Sequence, residues 1–400
     1  MKERELYHQL LNDKTSDGTI IARGVDYYHL SLEELLDLSK KVGLEPTSII
    51  EHLDAKEQDG VFADDAIKEL IDAADSLREV NKQERFDNYM AKSNNGFLPA
   101  FEKSIEESGK AEYIRTCFHG FDAVIEGGLH EGLYVVGAIP SLGKTTWVTQ
   151  ICDGVAYWGN DVIFVSLEMS RFDLMARSIS RLTVYKYPQL GDHYESDNKT
   201  ARGILDGRRY ANYTERDRKV IAFAENEYAK FADRIHVIEG EGYVGVRDIR
   251  KFVEDHIEAT NRIPVVAVDY LQLLAPYDPR ASDKQNTDKN TLELRRIARD
   301  YHCPLLVVSS FNRTNYNTKV SFQSFKESGA IEYCADVVVG MQLEGVGNAD
   351  FDVDLAKQEN PRKVEAVILK NRFGQTGGTL KYQYHPAFNY FKEVKENKFL

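Results

Sequence analysis

The stretch "GAIPSLGKTTW", Gly137 to Trp147, decides how this chain is read. It continues the apolar run "GLYVVGAI" and leads into "KTTWVTQICDGVAYWG", which has the periodicity of an amphipathic helix. A glycine-bounded loop between strand and helix turns successive backbone N–H groups and a helix N-terminus toward one point, which suits an anion. Counted from Ala138, the spacing is that of a phosphate loop: one small residue, four more, then Gly143, Lys144 and Thr145. Alanine stands where the first glycine is usual. The expected nucleotide cradle is Ala138, Ser141, Leu142, Gly143, Lys144, Thr145 and Thr146, with Lys144 on the β and γ oxygens of ATP and the Thr145 hydroxyl on Mg2+.

Outward from this loop, short apolar runs alternate with amphipathic segments from Tyr113 onward. Strands are expected at "GLYVVGAI", "DVIFVSLE", "RIHVIEG", "VVAVDYLQLL", "PLLVVSSF", "ADVVVGMQL" and "VEAVILKN", with helices between them. Such alternation predicts an α/β fold with a mostly parallel central sheet, and the count suits a RecA-like ATPase core. Ligands of open parallel sheets bind beyond the carboxyl ends of the strands. Two acidic residues stand at such ends. Asp269 closes the buried run "VVAVD", where an unpaired carboxylate would be costly, and is expected in the Mg2+ shell with Thr145. Glu168, at the tip of "DVIFVSLE", is the expected general base for the water that attacks the γ-phosphate.

The first 112 residues read differently. Residues 1–92 are rich in Glu, Asp and Lys, with helical periodicity in "SLEELLDLSKKV" and "DDAIKELIDAADSLREVNKQERFDNYMAK", so a small all-helical N-terminal region is expected. Residues 93–112 carry the turn signals of a linker, and 113–400 form the expected motor. The cadence of "LEELLDLSKKVGLEPTSIIEHL" is that of helix, glycine turn, helix. Between Ser31 and Gly60, however, eight acidic residues face three lysines, which favours a protein-contacting bundle over a DNA-reading one. A primase, a loader or self-assembly is the expected use of that surface.

The 400 residues carry a net charge of -13, which argues against a surface that coats duplex DNA but leaves room for positive loops in a cleft or ring. The four cysteines, Cys117, Cys152, Cys303 and Cys334, lack metal-ligand spacing and read as reduced core thiols. No membrane span or secretory leader is recognised, so the expected location is the cytoplasm.

Behind the phosphate loop stand "SLEMS", "DYLQLL", "SSFNR", "KESGAIEYCADVVVG" and "LKNRFGQTGG", in that order. With the approach segment "FHGFDAVIEGGLHEG", the chain from about Cys117 to Tyr390 resembles the motor domain of DnaB-family replicative helicases. The resemblance implies a hexameric ring that hydrolyses ATP at subunit interfaces and moves 5′ to 3′ on single-stranded DNA. It assigns Lys144 and Thr145 to phosphate and Mg2+, Glu168 to the base, Asp269 to the second Mg2+ contact, and Lys370 and Arg372 to the neighbouring subunit's site. Arg177 matches a position that contacts the base or sugar. Ser310 departs from the pattern, since the family commonly places a glutamine there that senses the γ-phosphate.

Two polar loops, "YDPRASDKQNTDK" and "NRTNYNTKVSFQSFKESGA", follow the strands ending near Asp269 and Asn312. They are the expected DNA contacts, with Arg280, Lys284, Lys319 and Lys326 available to phosphates. By resemblance, Lys326, Glu327 and Gly329 track the DNA backbone. The alternatives are a RecA-like, DNA-stimulated ATPase without unwinding, or an ATP-gated replication scaffold. The N-terminal 112 residues do not visibly match the family's usual N-terminal domain, which suggests a mobile-element or phage-type member.

Overall fold

The structure, a computed structural model, describes residues 20–22, 25–27, 86–108 and 113–394, apart from residues 88, 187, 241–243, 313–315 and 327. Contacts divide the chain into Met1–Ala111 and Glu112–Leu400. In the first unit, β1 (Ile20–Ala22) pairs antiparallel with β2 (Val25–Tyr27). The segments read as helical between residues 31 and 85 lie outside the described residues. Within residues 93–112, where a linker is expected, Asn94–Ser108 forms helix α1. Its turn residues gather at the N-terminus, while Phe97, Phe101 and Ile105 recur every fourth residue and line one helical face.

The second unit is built on a nine-stranded sheet ordered β11-β10-β9-β8-β3-β7-β6-β4-β5. Strands β3 (Gly132–Ala138), β4 (Val162–Ser166), β5 (Ile235–Glu239), β6 (Val265–Asp269), β7 (Pro304–Ser310) and β8 (Val337–Leu343) run parallel. Every residue of β3, β4 and β6 is buried, as expected where helices cover both faces. Antiparallel β9 (Arg362–Asn371), β10 (Thr379–His385) and β11 (Tyr390–Glu393) extend the edge beyond β8. The seven expected strands are present, and β10 and β11 are additional.

Helix α2 (Lys144–Tyr157) leaves the phosphate loop and is buried from Thr146 to Ala156. Trp147 anchors it, stacked on Phe118 at 5.6 Å and edge-on to Phe121 at 5.0 Å. The remaining principal helices are α3 (Arg171–Leu182), α4 (Glu215–Ala229), α5 (Val246–Thr260), α6 (Asp283–Asp300) and α7 (Ser328–Cys334). Helix α6 begins earlier than the loop reading allowed. Ser282 caps it by accepting from the Gln285 N–H while Gln285 returns to the Ser282 N–H, so the first turn absorbs Lys284.

Candidate active site

The phosphate loop is held in a shape that needs glycine. Gly143 has φ +91°, and a Cβ there would lie 2.8 Å from both Phe391 and Tyr384. Ser141 is also left-handed, at φ +64°, and its carbonyl accepts from Arg362 at 2.7 Å. Leu142 is fully buried and pins the loop to the core. The additional strands thus form the floor of the loop. Arg362, Tyr384 and Phe391 escaped the sequence reading because no local pattern says which distant strand packs under a loop.

Beyond the loop, the Lys144 ammonium rests on the carbonyls of Ala138 at 3.2 Å and Ile139 at 3.5 Å. Burial lowers its pKa, while the charges of Asp269 and Glu168 push it back up. Thr145, on the first turn of α2, donates its hydroxyl to the Asp269 carboxylate at 2.8 Å. The Asp269 carboxyl is almost wholly buried, and burial raises its pKa; Thr145 lowers it and Glu168 raises it further. A hydroxyl beside a buried carboxylate is a hard-oxygen pair of the kind that suits Mg2+, which keeps several waters and takes few protein ligands. Thr146 points into the core at 1% exposure, so its contribution to the cradle is confined to the backbone N–H.

Glu168 lies two residues past β4, exposed at the same end of the sheet. Register explains the placement: Ser166 pairs with Asp269, and the Leu167 N–H donates to the Asp269 carbonyl at 2.9 Å. Arg177, on α3, lowers the pKa of Asp269 by its charge and lines an open cavity with Met169, Asp173, Arg202 and Arg208. The sheet therefore gathers Lys144, Thr145, Asp269, Glu168 and Arg177 at the carboxyl ends of β3, β4 and β6.

Lys370 and Arg372 are elsewhere. Lys370 sits opposite Val338, near the start of β8, and donates to the carbonyls of Glu332 and Tyr333. Arg372 donates to Asp336 at 2.8 Å and to the Tyr333 carbonyl at 3.4 Å, and Arg295 lies 3.5 Å from the same carboxylate. Burial lowers the Lys370 pKa, reinforced by Arg372 and opposed by Asp336. This basic cluster occupies the end of the sheet opposite the phosphate loop.

The expected DNA residues divide in two. Arg280 is exposed in the turn after β6, its N–H bonded to Asp278 at 2.9 Å, and Lys284 is exposed on α6 rather than in a loop. Lys319 and Lys326 are exposed on the segment after β7, which folds over the ends of β7 and β8: the Val320 N–H donates to Gln342 at 2.9 Å and the Lys326 N–H to the Ser310 carbonyl at 3.0 Å. Gly329 lies in α7 at a normal φ, so no left-handed turn requires it. Glu327 lies outside the described residues.

A phosphate loop on β3, acidic tips on β4 and β6, and a parallel sheet between them define a RecA-like ATPase core. Residues 113–393 match the family model for the DnaB-like helicase C terminal domain, and the chain belongs to that family of ATP-hydrolysing replicative DNA helicases. It is 25% identical over 393 residues to the replicative DNA helicase DnaB of Geobacillus stearothermophilus, covering 95% of this chain and 77% of that one. With the replicative DNA helicase DnaC of Bacillus subtilis it shares 24% over 386 residues, covering 94% and 76%. Among solved structures, a DnaB-like replicative helicase described with its interactions with primase superposes with a TM-score of 0.63 at 18% identity, covering 91% of each chain. Among the described residues no helix is long and apolar enough to cross a membrane.

Proposed function

We propose that the chain works as a ring-forming motor that moves 5′ to 3′ along single-stranded DNA and separates the duplex ahead of it, each ATP being hydrolysed between two copies. The observation that carries this reading is the opposition of Lys144, Thr145, Asp269 and Glu168 at one end of the sheet to Lys370 and Arg372 at the other. A basic pair that cannot reach its own nucleotide is suited to the nucleotide of the next subunit.

In this reading the N–H groups from Gly143 to Thr146 and the Lys144 ammonium hold the β and γ phosphates. Glu168 takes a proton from the attacking water. Lys370 and Arg372 of the adjoining copy balance the charge that builds on the transferring phosphoryl group. Thr145 and Asp269 would hold Mg2+, which neutralises the β and γ oxygens when bound. Arg177 would meet the sugar or base. Arg280, Lys284, Lys319, Lys326, Glu327 and Gly329 would follow the DNA backbone without reading its sequence. Residues 1–92, joined through 93–112 to the motor at 113–400, would serve ring assembly or contact with a primase or loader.

The test is ATP hydrolysis with and without single-stranded DNA, strand displacement on a forked duplex, and native mass in ATP. Stimulated turnover, displacement and a hexamer mass are expected. Stimulation without displacement would favour a translocating ATPase or scaffold.

A further inference from the structure

None of the phosphate chemistry above uses Gln272. It stands in the single turn Leu271–Leu273, three residues past Asp269, partly buried. Its Nε2 donates to the Ser309 hydroxyl at 2.9 Å, and its Oε1 accepts from the Ser310 backbone N–H at 3.3 Å. The β6–β7 ladder ends at the pair Val268 and Val307, so this one side-chain amide continues the strand pairing past the ladder. Ser309 is fully buried, which leaves its hydroxyl dependent on protein partners.

Ser310 opens the segment that carries Lys326. Its carbonyl accepts from the Lys326 N–H at 3.0 Å, and the Asn312 N–H donates to the Ser324 carbonyl at 2.8 Å. Within this neck, Phe311 and Phe325 meet edge to face at 5.0 Å. Both rings press on Gly137, where a Cβ would lie 2.3 Å from Phe325 and 2.5 Å from Phe311. Gly137 directly precedes Ala138, whose carbonyl holds Lys144. The neck of the segment therefore touches the nucleotide cradle twice: through Gln272 on the Asp269 side, and through the aromatic pair on the phosphate-loop side.

We infer that Gln272 is a positioning residue that ties the neck, Ser310–Asn312 with Ser324–Lys326, to the occupancy of the Lys144–Thr145–Asp269 site. This rests on the nucleotide-binding reading of that site. Bound nucleotide and cation would replace the hydrogen bond between Thr145 and Asp269 with contacts of their own, and the turn Leu271–Leu273, two residues past Asp269, would shift with that carboxylate. Gln272 grips the β7 tip by one donor and one acceptor, so it passes that shift on as a paired displacement of Ser309 and Ser310. Lys326 is bonded to Ser310 and follows. A chain of contacts becomes a coupling only when both sites bias the same element, so the test must read the neck itself.

Hydrogen exchange of the full chain, with and without Mg2+ and a non-hydrolysable ATP analogue, reads the amides of Ser324, Phe325 and Lys326 directly. In the wild type the nucleotide should slow them about fivefold or more, and in Gln272→Ala, Gln272→Met and Ser309→Ala that protection should fall to within about twofold of none. The double variant Gln272→Ala with Ser309→Ala should lose no more than either single one. A fluorescent nucleotide titration accompanies each variant. Undiminished protection in variants that bind nucleotide, or its absence from the wild type, overturns the relay; so does a Gln272→Ala protein that folds but no longer binds nucleotide. Should Gln272→Ala fail to fold, Ser309→Ala decides alone. Turnover that ignores single-stranded DNA while neck protection behaves as described would sink the helicase reading and leave the relay standing.

Discussion

Arg372 donates to the Asp336 carboxylate at 2.8 Å, and the other oxygen of Asp336 accepts from the Leu133 N–H at 2.9 Å, which fastens the guanidinium to the start of β3. Lys144 follows the far end of the same strand. The five residue steps from Leu133 to Ala138 amount to roughly 17 Å of extended chain. That is more than an arginine side chain spans, so Arg372 does not reach the phosphate loop of its own chain.

Mixing tests this. Lys144→Ala and Arg372→Ala should each be inactive alone, whereas a one-to-one mixture reassembled in ATP should regain activity, because about a quarter of its interfaces pair an intact Lys144 with an intact Arg372. A mixture as dead as its components would overturn the assignment of the two residues to one shared interface.

Glu168→Gln keeps the shape of the side chain and removes its basicity. Turnover should fall on the order of 10²–10⁴-fold while nucleotide affinity stays within a few-fold, measured by single-turnover hydrolysis beside equilibrium binding. A loss of affinity matching the loss of rate would make Glu168 a binding group.

Asp269 yields a pH prediction. Its folded pKa is raised, chiefly by burial and then by the Glu168 charge, so the nucleotide-free native state binds a proton more tightly than the unfolded chain does. Stability from this group is thus greatest in acid, and it declines as pH rises from the ordinary carboxylate value of about 3.9 through the raised folded value. Asp269→Asn should raise the melting temperature of the nucleotide-free protein at pH 7, with the gain vanishing toward pH 4, and should abolish Mg2+-dependent hydrolysis. Scanning calorimetry across pH would reveal a wrong sign.

Gly143→Ala adds a Cβ at φ +91° and drives it against Phe391 and Tyr384. A destabilisation of about 1–3 kcal/mol and a collapse of nucleotide affinity are expected, read by urea unfolding and titration. An unshifted midpoint would mean the aromatic floor yields freely.

Asp153 and Arg181 form a buried ion pair, and the guanidinium also donates to the Asn389 carbonyl at 2.9 Å. Removing one member strands the other charge. Asp153→Ala should cost about 3–5 kcal/mol in a urea melt, and Asp153→Leu with Arg181→Met should recover much of it.

Much of the fold was legible because β3, β4, β6, β7 and β8 are apolar runs with polar residues at their ends. Lys144, Thr145, Glu168 and Asp269 were legible for the same reason: each stands within a few residues of such a run's carboxyl end. Strands β10 and β11 were harder to see. In "TLKYQYH" only alternate residues are buried, and β11 is four residues long, so their signal is weak next to a fully buried strand. The turn signals around residues 93–96 concealed α1, whose apolar repeat begins just after them. The polar neighbours of Lys284 give a loop signal, yet a polar stretch joins a helix once a capping box starts it.

The sequence by itself determined the local chemistry: a strand that turns through glycine into a helix, acidic residues at strand tips, and basic residues Lys370 and Arg372 after "VEAVIL". These follow from backbone preferences and from burial of contiguous runs, both of which act over a few residues. Only the tertiary structure decided which ends meet. The order β9-β8-β3-β7-β6-β4 sets Asp269 against Thr145, Gln272 against Ser309, Phe325 against Gly137, and Arg372 at the far end from Lys144. Backbone hydrogen bonds are alike for every pair of parallel strands. The choice among neighbours therefore lies in side-chain packing between segments tens to hundreds of residues apart, which local periodicity does not record.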